Sequence, residues 1–227
     1  MTTHEKPAGV RPETLIWAAF AGVLLVVLGF GLWKWRSGAA AAAATAASVQ
    51  AALPVLGTLP NFTFTERSGR TVSSADLRGR VWVADFIFTN CPGICPILTQ
   101  HMTRLDKALV ALGAEDVRLV SFTVDPKRDT PEALRDYASR FGADPDRWLF
   151  LTGPRDALYQ LIKDGFRLAV AERSEAEADS GELITHSDRF VLVDEQGRIR
   201  AYHRIEEPGA LLRLVGDLSK LAEEGAR

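Results

Sequence analysis

The chain opens polar, becomes wholly apolar, and only later settles into alternating short runs. Residues 15–33, LIWAAFAGVLLVVLGFGLW, carry no charged side chain. As a helix rising about 1.5 Å per residue they would span roughly 28 Å, close to the hydrocarbon core of a bilayer. Trp17, Trp33 and Trp35 lie near the ends, where amphipathic rings favour the interface. A run this long and uncharged reads poorly as a buried core helix. A cleavable signal peptide is a stronger rival, because the alanines that follow offer a cleavage site, but the run exceeds the usual ~7–15-residue signal core. The pattern predicts a short N-terminus over residues 1–14 and an uncleaved transmembrane anchor over 15–35.

Lys6 and Arg11 flank one end of the run and Lys34 and Arg36 the other, so the positive-inside count is a tie. The short polar N-terminus is the easier end to leave in the cytoplasm. That places the rest of the chain outside the cytoplasm, where thiols tend to be oxidised. Residues 36–53 are Ala-rich and of low complexity, and alanine favours helix, so they read as a helical or partly helical stalk. Residues 54–227 have a length that suits a single domain.

Within that domain strands and helices alternate. FTFTERSGRTVS reads as a hairpin turning at Ser68-Gly69. VWVADFIFT and VRLVSFTVD read as apolar strands buried on both faces, and RWLFLTG as a third. ILTQHMTRLDKALVAL has apolar residues at helical spacing and stops at Gly113. TPEALRDYASRFG carries Thr130 as N-cap, Pro131 at the first helical position and Glu132 in the first turn. PRDALYQLIKDG reads as a further helix, RFVLVDEQGRIRAYH as a hairpin, and GALLRLVGDLSKLAEE as the last helix. Together these indicate α/β architecture. Residues 171–182, AERSEAEADSGE, read as a solvated acidic loop, with partner docking as the less favoured use.

Composition refines this picture only a little. With 47% hydrophobic residues, 25% charged and a net charge of -2, the chain is a folded domain with no basic excess to neutralise phosphates, so nucleic acid is not an expected partner. Cysteine usage is more informative. The chain has 2 cysteines, Cys91 and Cys95, both in FTNCPGICPILTQ, between a predicted strand and a predicted helix. A spacing of four puts them on one face of a helical turn. Pro92 and Pro96 are compatible with this only near the helix start. Helix N-terminal amides favour a thiolate, so lowered thiol pKa values are expected. The pair can close a disulfide or hold one soft metal ion; two inert buried thiols are the less favoured reading.

Two cysteines rarely complete a metal site, and 4 histidines are available. His4 precedes the apolar run. His101 lies well off the cysteine face of its helix, and His203 ends a strand where a surface or capping role is expected. His186, in LITHSDRFVLV, sits in a loop just before a buried strand. Two soft thiolates and one imidazole suit Cu(I), with zinc the competitor.

TNCPGICP, VDPKRDTPE and THSDRFVLVD, in that order and at these separations, resemble the Sco/SenC family of membrane-anchored copper chaperones. The resemblance covers about Pro60 to Leu221. It implies a thioredoxin-like fold with an inserted β-hairpin and the CxxxC at the start of the first helix. It implies copper, Cu(I) with Cu(II) as a second state, held by Cys91, Cys95 and His186. It also implies help in assembling the CuA centre of cytochrome c oxidase, with the CuA-bearing subunit or another copper-handling protein as partner. For a bacterial source, the chain would be a single-pass inner-membrane protein with its domain in the periplasm and its N-terminus cytoplasmic. Gly93 stands where many relatives carry an acid. Asp125 and Asp129 match the family's DxxxD pattern; Asp125 is a candidate to orient His186 or tune the site, while both aspartates also sit where a strand end and a helix start ordinarily place one.

The chief alternative is a thiol-disulfide oxidoreductase that reduces a partner's cysteines, although the spacing is wider than the CxxC of dedicated enzymes. A peroxidase fits less well. The peroxiredoxin pattern has Thr three residues before the reactive cysteine, where this chain has Phe88, with Thr89 one position later.

Overall fold

The computed structural model describes residues 29–34, 52–168 and 188–225. Most of the expected anchor, the stalk up to residue 51, the acidic stretch 171–182, His4 and His186 lie outside the described residues. Residues 29–34 are helical, and among the described residues no helix is long and apolar enough to cross a membrane. The chain divides into two compact units, Met1–Ala51 and Ala52–Arg227, and the second carries the fold described below.

That unit is built on one mixed sheet of eight strands: β1 (Gly57–Thr58), β2 (Thr63–Glu66), β3 (Thr71–Ser73), β4 (Trp82–Ile87), β5 (Arg118–Thr123), β6 (Trp148–Thr152), β7 (Arg189–Val193) and β8 (Arg198–Arg204). Their spatial order is β1-β8-β7-β4-β5-β6-β2-β3. β4, β5 and β6 run parallel, while both flanks are antiparallel. Three α-helices connect strands, α1 (Ile94–Ala111), α2 (Pro131–Arg140) and α3 (Arg155–Gln160), and α4 (Ala210–Gly225) follows β8. The predicted α/β alternation is thus observed. The two-residue β1 and a π-helical turn over Leu161–Gly165 carry too little periodic signal to be read from sequence.

The central position of β4 follows from its composition. All six of its residues are buried, because it lies inside the sheet, between parallel β5 and antiparallel β7, with helices covering its faces. Alternation then sorts its side chains. Trp82 and Phe86 join Phe122 and Phe166 in an aromatic cluster with ring centroids 5.0–6.4 Å apart. Val83, Asp85 and Ile87 point to the opposite face of the strand. α1 and α2 lie against each other, with the hydroxyls of Thr99 and Tyr137 2.7 Å apart.

Turn and cap chemistry match the sequence. Thr130 Oγ1 accepts from the Ala133 amide at 3.3 Å, with Pro131 opening α2. The β7–β8 turn is held by Asp194 Oδ1, which accepts from the amides of Gln196 and Arg198, and it needs Gly197 at φ 75. The start of the domain is clamped by buried Arg200, which donates to the carbonyls of Leu53 and Pro54 and to Asp194 and Glu224. Glu224 in turn accepts from the Leu53 amide at 2.9 Å.

Candidate metal centre

β4 ends at Ile87, and the chain needs only six further residues to reach the first turn of α1. Cys91 lies in this connection and its amide donates to the Phe88 carbonyl at 3.3 Å. Gly93 is the N-cap of α1 and Cys95 its second residue. No side chain caps this end and its first turn holds no acid, so the leading amides of α1 face the cysteines uncompensated. Both cysteines are free thiols, and the Cys91 thiol lies close enough to act on that of Cys95. The expected convergence of the pair at the helix start is therefore present. A Cβ at Gly93 would meet nothing within 4 Å, so the missing acid there is a difference of charge rather than of space.

The expected lowering of the thiol pKa values is corrected by the structure for Cys95. That thiol is only 2% exposed, and burial pushes its pKa up, helped by the neighbouring Cys91 thiol and opposed by the Phe88 backbone. A helix terminus contributes about 0.3–1 kcal/mol to an exposed anion. Removing a thiolate from water costs several times more, so desolvation wins. A soft cation held by Cys91 and Cys95 would supply the missing compensation and favour their deprotonation.

Asp85 was not singled out by the sequence, although a lone acid inside an apolar strand is the signal that would find it. It is fully buried, and neither carboxylate oxygen has a hydrogen-bond partner among the described residues. Burial pushes its pKa up to about 7, against a small opposing pull from Ser121, its register neighbour on β5. Its charge raises both Cys95 and Tyr137, so it lies on the α1–α2 side of the sheet, the side of Cys95.

Asp129 is also buried, at 1% exposure, and its carboxylate accepts from the Thr89 amide, the Thr89 hydroxyl and the Thr123 hydroxyl. Burial raises its pKa and those donors resist the rise. Since Thr89 stands two residues before Cys91, this carboxylate pins the cysteine loop to the end of β5. Asp125 is oriented differently: its amide donates to Thr123 Oγ1 and its carboxylate meets Arg128 at 3.2 Å. Replacing Asp129 with alanine strands those buried donors and is expected to cost on the order of 3 kcal/mol. Denaturant unfolding of Asp129→Ala beside wild type checks this, and an unchanged midpoint would refute the anchoring role.

The histidines separate clearly. His203 is buried, not at the surface as expected, with Nε2 3.3 Å from Asp217 on α4. Burial lowers its pKa and Asp217 partly restores it. His101 is half-buried on α1, its pKa lowered by burial and by Arg104. Among the described residues no group of three or more His, Cys, Asp or Glu is placed to hold a metal ion. The two thiols still form a soft, converging donor pair that fits a thiophilic metal needing one further ligand.

Comparison with known proteins places this geometry. The family model described as SCO1/SenC matches residues 54–221. The SCO1 protein homolog of Bacillus subtilis is 40% identical over 147 residues, 64% of this chain and 73% of that one. A Stutzerimonas stutzeri protein whose name ascribes copper binding to it is 34% identical over 152 residues, 67% of this chain and 72% of that one. The structure of BsSco, called a member of the Sco family of cytochrome c oxidase assembly proteins and a site of a disulfide switch, is similar at 35% identity with a TM-score of 0.64. It covers 74% of this chain and 95% of that one. The mixed α/β, thioredoxin-like fold is shared with it. With the fold, the cysteine pair and the match over most of the chain in agreement, the protein belongs to the SCO1/SenC family.

Proposed function

We propose that this chain is a membrane-anchored copper chaperone that binds copper through Cys91, Cys95 and His186 and assists assembly of the CuA site of cytochrome c oxidase. The observation that carries the reading is the pair of free thiols close together at an uncapped helix start. Such a pair supplies two soft sulfurs but no third donor, which is the role assigned to His186, shortly before β7 in the sequence. The copper-binding name of one relative and the oxidase-assembly description of another support the same reading. Each thiol gives up its proton as copper binds, and a Cys91–Cys95 disulfide blocks loading, so redox state gates capture. The anchor over 15–35, the stalk over 36–53 and the periplasmic placement of the domain complete the proposal.

The test is copper content of the reduced protein, wild type beside His186→Ala. The expected result is one copper per wild-type chain and at least a tenfold weaker affinity in the variant. Equal affinity in both would remove His186 from the site. The closeness of the two thiols also favours a second reading, thiol-disulfide exchange. There two S–H bonds break, Cys91–Cys95 forms, and two electrons and two protons pass to a partner disulfide. Reductase activity that survives His186→Ala but not Cys91→Ser would select it.

A further inference from the structure

A concavity of about 650 Å³ opens at the opposite end of the sheet from the cysteines. Its walls include Arg80, just before β4, and Arg118, the first residue of β5. The cysteines follow the other end of β4, so a strand of 6 residues, roughly 20 Å, separates the two places. The β2–β3 turn adds Arg67 and Arg70, and α2 adds Arg135. Five guanidinium groups from four chain segments thus face one opening, in a protein whose net charge is -2.

Three carboxylates share these walls and offset part of this charge. Glu66 is committed to Arg67, 3.5 Å away, and to the Ser68 amide. Asp76 is held by the amide and hydroxyl of Ser73. Only Asp146 remains of the three. Arg67 is a wall element, stacked 5.1 Å over Phe150. Arg70 acts on Asp76 and Arg135 on Glu132, both exposed carboxylates. Arg118 donates to the Glu115 carbonyl and Arg135 to the Arg67 carbonyl, contacts that satisfy one N–H each and neutralise no charge. Arg80 reaches exposed Asp116 only at 3.8 Å. Burial and the neighbouring Arg80 and Arg147 lower the Arg118 pKa, while Asp116 and Asp144 partly restore it.

We infer that this concavity is a second ligand site, for a phosphate-type oxyanion, bound by Arg70, Arg80, Arg118 and Arg135. Guanidinium forks match the several oxygens of a phosphate, each taking two parallel hydrogen bonds, and a concave wall suits a compact anion better than an extended chain. With five guanidiniums against three carboxylates on its walls, the opening carries an excess of positive charge that an oxyanion offsets. The same chemistry is offered by a free polyphosphate and by a phospholipid headgroup.

The experiment is calorimetric titration of the full chain, in neutral detergent, with pyrophosphate and separately with glycerol phosphate as the headgroup mimic. Saturable binding of pyrophosphate alone identifies a free polyphosphate, and binding of glycerol phosphate identifies a lipid headgroup. Arg118→Ala is expected to weaken either by at least tenfold while copper content is unchanged. Arg104→Ala, which removes the same charge from an exposed position on α1, is expected to leave binding as it was. Failure of wild type to bind either probe overturns the inference, as does equal weakening by Arg104→Ala.

Discussion

A Cys95→Ser chain is expected to lose copper binding altogether while keeping its fold. On the proposed site a serine hydroxyl replaces one of two thiolates, and a hydroxyl is a hard, weakly acidic donor that a soft cation does not hold. Cys95 is the second residue of α1 and packs in the core, so the substitution also buries a more polar group, at a cost of about 1–3 kcal/mol. The two effects separate experimentally. Copper per chain after loading under reducing conditions is expected to fall from one to near zero. The unfolding midpoint is expected to drop only modestly. Retention of stoichiometric copper by Cys95→Ser would remove the thiol pair from the proposal.

The second large effect concerns Asp85 and pH. Its carboxyl is fully buried and titrates near 7 in the folded chain, well above an ordinary aspartate. Between about pH 4 and 7 the native state therefore holds a proton that the unfolded chain releases. An acid raised in this way contributes most at low pH, and the contribution is lost as pH rises towards 7, after which the curve is flat. The total is on the order of a few kcal/mol. Asp85→Asn keeps the shape without the charge, so it is expected to match wild type near pH 4 and to exceed it in stability at pH 8. Cys95 and Tyr137, which face Asp85, both have raised values and stay protonated through this window. His203, Asp106 and Asp129 are common to both chains and cancel in the difference. Denaturant midpoints of both chains at pH 5 and pH 8 decide it: a wild-type slope persisting in Asp85→Asn would mean another group is responsible.

Why would a chain keep an unpaired acid in its central strand? Replacing a buried charge with a neutral group usually stabilises, so retention is an argument for use rather than for stability.

Much of this architecture was legible along the chain because local rules act locally. The cap at Thr130, the turn at Gly197 and the buried character of β4 each depend on a few neighbouring residues. The same holds for the placement of Cys91 and Cys95 at a strand-to-helix junction. What the sequence by itself determined was therefore the order of elements, the strand-to-helix junction that holds both cysteines, and the family motifs around them; the single helical turn expected for the pair is not formed, because α1 begins only at Ile94, after Cys91. Only the tertiary structure decided the environment those thiols meet. Burial reversed the sign expected for Cys95, because the desolvation of a thiolate depends on every element packed above it and not on the helix that carries it. It likewise joined Thr89, Thr123 and Asp129, set Asp85 on the Cys95 side of the sheet, and gathered arginines from four segments at the far end of the sheet. Those are contacts between residues distant in sequence, created by the pairing of β4 with β5 and by helices laid across them, and no local pattern encodes them.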